Sequence, residues 1–176
     1  MHKILKSQIG FSLLEVVIAT TVISVGLVGI LGLVIQNIAI QQTYKNTLVA
    51  SMLAQEGLEL ARNIRDKNWL TAGADYNDGL APLGVIATST IYYDYNNKKI
   101  ATSSAVAIDS AAAKLYLDAN GFYINSGTAT STIFSRIIVA TVSATASSTV
   151  VKAEVGWSDR GKKRNYIAET ILYDWR

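Results

Sequence analysis

The chain is organised by three successive patterns of apolar and polar positions. The first is a stretch without a charged side chain from Val16 to Ile35. About 20 residues at a rise of roughly 1.5 Å each span the hydrocarbon core of a bilayer as one helix. From Gln36 the pattern turns amphipathic. Val49, Leu53, Leu60 and Ile64 share one helical face, and Ala50, Ala54, Gly57 and Ala61 form an adjoining stripe of small residues. No proline occurs before Pro82, so the two stretches read as one helix over 11–66, on the order of 80 Å long. Arg62, Arg65 and Lys67 cluster near its end, where cations favour the negative end of the helix dipole. Asn68 is the expected stop, and Trp69 is expected to pack under the helix terminus.

The third pattern is strand-like. A connector over 69–84, rich in turn residues (Gly73, Asp75, Asn77, Asp78, Gly79, Pro82, Gly84), leads into it. Residues 85–95 are β-branched and aromatic, and Asn96, Asn97, Lys98 and Lys99 then read as a turn. Residues 114–117 and 122–124 flank Asn120-Gly121, expected to form a hairpin with positive φ at that pair. Three longer strands are expected at 133–142, 150–157 and 164–175, with turns at 143–149 and 158–163. Val151, Ala153, Val155 and Trp157 alternate with Lys152 and Glu154, so the apolar set should face the helix. Short links between successive strands imply antiparallel pairing, and the fold class is α+β: a long N-terminal helix packed on one sheet. The expected segments are 1–10, 11–35, 36–68, 69–84 and 85–176.

The N-terminus changes the picture. Lys3 and Lys6 are the only fixed charges of residues 1–10, and no further basic residue appears until Lys45, which places the N-terminus in the cytoplasm and the rest outside by the positive-inside rule. A secretory signal peptide would have a shorter apolar centre and a small-residue cleavage site. A plain anchor would have no use for Glu15 at the edge of the span. The sequence Ile9-Gly10-Phe11-Ser12-Leu13-Leu14-Glu15, preceded by a basic leader and followed by the apolar run, resembles the N-terminus of type IV pilin-like proteins, the family of type IV pilins and type II secretion pseudopilins. The resemblance implies cleavage after Gly10 by a prepilin peptidase, N-methylation of Phe11, and assembly in which Glu15 pairs with the new amine of its own or a neighbouring chain. It also implies the inner-membrane assembly machinery and related subunits as partners, and a filament as destination. The family's frequent C-terminal disulfide has no counterpart here, since the chain has no cysteine.

Gly26, Gly29 and Gly32, with Thr20, Thr21 and Ser24, supply small positions within the span that allow close approach of another helix. The formal charge of +3 falls to about +1 once Lys3 and Lys6 leave with the leader, which removes the case for general attraction to nucleic acid. The one histidine, His2, lies in the leader, so the processed chain has no histidine for a triad or metal. Asp94, Asp109, Asp118 and Asp159 are scattered, and Asp75 to Gly79 fails the spacing of a calcium loop. No catalysis, cofactor or metal is expected. Three functions remain: a filament subunit, a membrane-anchored binding module that does not polymerise, and a minor pilin contacting DNA through Arg160, Lys162, Lys163 and Arg164.

Overall fold

The computed structural model describes residues 10, 12–80, 86–94, 99–104, 107–125, 130–142 and 147–175. Phe11, the leader over 1–9, Pro82 and Gly84, the turn residues 96–98, and the Ser/Thr-rich positions 128, 129 and 145, 146 fall outside them. One helix, α1 (Leu13–Trp69), runs without interruption and is joined by seven strands: β1 (Ile86–Asp94), β2 (Lys99–Ser104), β3 (Lys114–Leu117), β4 (Tyr123–Ile124), β5 (Thr130–Val142), β6 (Ser148–Asp159) and β7 (Lys162–Tyr173). The chain divides into two compact units, Met1–Tyr44 and Lys45–Arg176, and α1 contributes to both.

In the first unit, α1 is mostly apolar and its large apolar side chains are exposed within the chain, from Leu13 at 81% to Ile40 at 48%. Its few hydroxyls are turned back on the helix. Thr20 and Thr21 donate to the Val17 carbonyl at 3.0 and 2.8 Å, and Ser24 donates to the Thr20 carbonyl at 2.7 Å. These three hydroxyls therefore need no water, as a helix in hydrocarbon requires.

In the second unit, residues 45–69 of α1 lie against an antiparallel sheet. β5 is its central strand. One edge of β5 pairs with β6 from Phe134 to Val142, and β6 pairs in turn with β7 along twelve residues. The other edge is shared: Thr130, Ser131 and Ser135 pair with β3, while Ile138 to Thr141 pair with β1. The sheet thus forks into a β3–β4 arm and a β1–β2 arm. The face toward the helix carries Phe134, Ile138, Ala140, Val142, Val151, Ala153, Val155 and Trp157, all buried. Against them α1 sets Ala50, Leu53, Ala54, Gly57 and Ala61. The small stripe, rather than the larger Val49, Leu60 and Ile64, makes the closest contact; those three are partly buried along its margin. A Cβ at Gly57 would lie 2.7 Å from Ile138 Cδ1, so the helix approaches the sheet more closely here than alanine permits without movement of a buried side chain.

Arg136 stands at the fork with its side chain 1% exposed. Its Nη1 donates to the Leu53 carbonyl of α1 at 2.9 Å and lies 3.1 Å from Glu56 Oε2; its Nη2 donates to the Ile91 carbonyl of β1 at 3.0 Å. One cation on β5 thereby joins the helix to the β1 arm of the divided sheet. Beyond the fork, the opposite face of β5 and β6 is covered by the segment before β3: Ala113 and Ile137 are buried together with Ile108 and Val139 packed on them.

The helix ends at Trp69, three residues past the expected position. Leu70 and Thr71 N–H groups donate to the Lys67 and Asn68 carbonyls, and Asn68 Nδ2 donates to the Tyr76 and Asp78 carbonyls at 3.2 and 2.8 Å, which folds the connector back on the helix end. Trp69 meets Trp175 edge-to-face at 4.5 Å and lies under the Arg65 guanidinium at 4.4 Å. Its Nε1 donates to Asp174 Oδ1 at 3.3 Å, tying the last strand's exit to the helix terminus.

Three turn expectations need correction. Lys99 opens β2, paired to Asp94, so the expected turn is shorter and an additional strand follows it. In the β3–β4 hairpin only Gly121 has positive φ (86°); Asn120 does not, because a three-residue loop closed by Asp118 N–H donating to the Phe122 carbonyl replaces the two-residue turn. The six-residue turn expected at 158–163 is a two-residue turn. Asp159 pairs with Lys162, and Arg160 and Gly161 take φ of 52° and 76°. An arginine in that region costs about 1–2 kcal/mol.

Two stability changes follow, both measured by urea unfolding of the full chain in detergent through tryptophan fluorescence, since Trp69, Trp157 and Trp175 all belong to the second unit. Arg136→Met leaves the Leu53 and Ile91 carbonyls unpaired and should lower stability by about 2–4 kcal/mol. Arg160→Asn relieves the turn and should raise it by about 0.5–1 kcal/mol.

Candidate functional site: the N-terminal segment

Gly10 is exposed and Ser12 precedes the helix, its carbonyl accepting from the Val16 N–H at 3.2 Å. Glu15 lies in the first turn of α1 and is exposed. A carboxylate at this place meets the positive end of the helix dipole and the unpaired N–H groups of the first turn. An amine four residues before it would lie on the same face.

Gly26, Gly29 and Gly32 follow on the same helix. A Cβ added at any of them would meet nothing within 4 Å, so no contact inside the chain calls for glycine there. Gly57, in the other part of the same helix, is the opposite case. The mean hydropathy of the most apolar window of α1 is 2.5, and that window is 0% buried; α1 is, among the described residues, the helix long and apolar enough to cross a membrane.

A family model described as the prokaryotic N-terminal methylation motif matches residues 5–31. The match supports a type IV pilin-like prepilin. No curated protein and no solved structure shows a significant match to the chain, so the arrangement after residue 31 rests on its own geometry. A long helix followed by an antiparallel sheet that covers part of it is a pilin-like α+β arrangement. A prepilin motif implies processing by a prepilin peptidase and assembly with other pilin subunits, and with the apolar helix it fits a membrane-anchored protein.

The basic turn is built differently from a phosphate-binding stripe. Arg160, Lys162, Lys163 and Arg164 gather at the β6–β7 tip, but strand alternation sends Lys162 and Arg164 to the helix side and Lys163 to the other. Lys163 Nζ lies 2.7 Å from Asp109 Oδ2, and Arg164 Nε lies 3.6 Å from the buried carboxylate of Asp159. Asp109 and Lys163 also line a groove of about 660 Å3 on the face away from α1, with Ser110, Ser131, Ser135 and Ile133. Among the described residues, no three His, Cys, Asp or Glu side chains come together in a metal-like group.

Asp118 has a structural part that sequence reasoning left unassigned. Its Oδ1 accepts from the Phe122 and Asn120 N–H groups at 2.8 and 2.9 Å, and these bonds, Phe122 first, hold its carboxyl below the ordinary value of 3.8. Arg136 was likewise not singled out. Its signal was a lone cation sharing strand parity with Ile138, Ala140 and Val142.

A depressed folded-state value means that the loop's extra stability is present above the unfolded value and is lost as pH falls through the folded one. The Asp118 carboxyl should therefore titrate below 3.8 by NMR. The difference in stability between wild type and Asp118→Ala should be constant well above the ordinary carboxyl value and shrink as pH falls through the lower folded-state one; a midpoint at or above 3.8 would show that the hairpin bonds do not act on the carboxylate.

Proposed function

We propose that this chain is a structural subunit of a type IV pilus or a type II secretion pseudopilus. The observation that carries the reading is the methylation motif at 5–31, which extends into the first part of α1, where the large apolar side chains are left exposed by their own chain. Burying such a surface needs either lipid or other copies of the helix, and a filament subunit uses both in succession. In this reading the peptidase cuts between Gly10 and Phe11 on the cytoplasmic side and Phe11 becomes the methylated amino end. The domain beyond the span lies outside, and the chain passes from the cytoplasmic membrane into a surface or periplasmic filament.

Glu15 then takes the new amine of a neighbouring chain, which fixes the axial register, and Gly26, Gly29 and Gly32 let the helices come close. The open surroundings of these glycines support that role. The carboxylate partners of Lys163 and Arg164 weigh against DNA as a ligand of the basic turn. No catalytic step, metal or cofactor enters this function, and the motif itself points to a structural subunit.

Intact-mass measurement of the protein from cells carrying a prepilin peptidase should show loss of residues 1–10 and one added methyl group on Phe11. Glu15→Ala should leave that processing intact and reduce filament yield at least tenfold, the scale of one charge-assisted pair of about 1.5–3 kcal/mol. An unprocessed chain would favour a plain anchor displaying the sheet domain, and full assembly of Glu15→Ala would show that the Glu15 pairing is unimportant.

A further inference from the structure

The groove of about 660 Å3 on the face of the sheet away from α1 lies inside the range of about 300–1,000 Å3 that small-molecule sites occupy. Strand register explains its depth. Ser135 of β5 lies beside Gly156 of β6, and Ser158 of β6 lies beside Lys163 of β7, so much of the floor is made of short side chains. One wall is the segment over 108–111, and two contacts hold it in place. A Cβ at Gly156 would lie 2.8 Å from Ile108 Cγ1, so glycine is what lets Ile108 sit down on β6, and Asp109 Oδ2 takes the Lys163 ammonium at 2.7 Å. The same wall holds a hydroxyl with no structural use. Ser110 precedes a 3-10 turn (Ala111–Ala113) but makes no capping bond, and its Oγ is buried without a hydrogen-bond partner among the described residues. Such an atom is costly in the free chain, and a ligand rich in hydroxyls would supply its partner.

We propose that this groove binds an acidic saccharide, with the sugar carboxylate on Lys114 and the sugar hydroxyls on the serines. The charges select the ligand. Lys163 is taken by Asp109, Arg164 faces Asp159, and the Glu154 carboxylate accepts from Asn165 Nδ2 at 3.3 Å. The Lys114 ammonium is different: half-buried on β3 beside Ser135, it has no ion pair or hydrogen bond among the described residues. One free cation in a groove that also holds the Asp109 and Glu154 carboxylates suits a ligand with a single negative charge. A phosphate dianion would call for several cations and would be repelled by both acids. An apolar ligand is disfavoured for the opposite reason, because it would strip water from Ser131, Ser135 and Ser158 without replacing their hydrogen bonds. Serine hydroxyls, a carboxylate and an amide supply both donors and acceptors, as a sugar's hydroxyls require. Ile133 and the Tyr116 ring add apolar surface for its C–H faces.

The groove belongs wholly to the second unit, so the site does not depend on cleavage at Gly10 or on filament assembly. The test therefore uses the full, unprocessed chain, in a detergent without a sugar headgroup. Trigalacturonate and sialyllactose are titrated by calorimetry beside their uncharged counterparts, galactotriose and lactose. At least one acidic sugar should bind saturably and roughly tenfold more tightly than its counterpart, the scale of one charge-assisted hydrogen bond. Lys114→Met, which keeps the stem and removes the charge, should abolish that preference, and Lys114→Arg should retain it. Ser158→Phe, at an exposed position, should fill the floor and weaken acidic and uncharged sugars alike. The urea midpoint of each variant, followed by tryptophan fluorescence, separates a lost site from a lost fold. The proposal is overturned if neither acidic sugar binds, if the uncharged counterparts bind as tightly, if Lys114→Met keeps its fold and the preference, or if inorganic phosphate or a glutamate-rich peptide binds more tightly than both acidic sugars.

Discussion

The Arg136 guanidinium sits where a residue of its kind is least expected, on the buried face of the central strand, and its position follows from a problem in the sheet. β5 is longer than either strand that shares its far edge, so β3 and β1 must part along it. Ile91, past the last β1–β5 pair, then has a carbonyl facing the interior, and α1 brings the Leu53 carbonyl to the same place. A planar group with several donors satisfies both, and the partly exposed Glu56 carboxylate offsets its charge. Without it, the fork would leave buried acceptors unpaired at the point where the helix meets the β1 arm.

That contact works only because the helix comes close, and glycine and alanine permit the approach. The same helix uses glycine in two ways. Gly57 is filled by the chain's own Ile138 and Arg136, whereas Gly26, Gly29 and Gly32 are met by nothing. A residue type that lowers helix stability by about 1 kcal/mol per position is explained at Gly57 by packing within the chain. At the other three it calls for packing from outside it. The first unit is thus built to be completed by other molecules, and the second to be complete around its core.

Much of this was legible in the sequence, for local reasons. The uncharged run, the missing prolines and the Gly10 to Glu15 spacing are short-range signals, and they gave the helix and the N-terminal motif. The alternation in β6 survives intact because both of its neighbours are strands. What escaped depended on distant partners. β2 reads as polar because its pairing with β1, not its own pattern, makes it a strand. The β6–β7 turn was hidden because Arg160 is not a residue that favours positive φ, and twelve paired residues on each side impose it. Arg136 is a lone cation in an apolar strand, and the acceptors that explain it, on Leu53 and Ile91, lie far away in sequence.

The central claim is that the open surface of α1 is closed by copies of itself. A cryo-EM reconstruction of filaments assembled from the processed chain tests it most directly. The account predicts that Gly26, Gly29 and Gly32 face neighbouring helices at interaxial distances of about 8–10 Å, with each Glu15 carboxylate within ion-pair reach of an amino terminus. Filaments in which those glycines face away from every neighbouring helix, or in which Glu15 meets no cation, would contradict it.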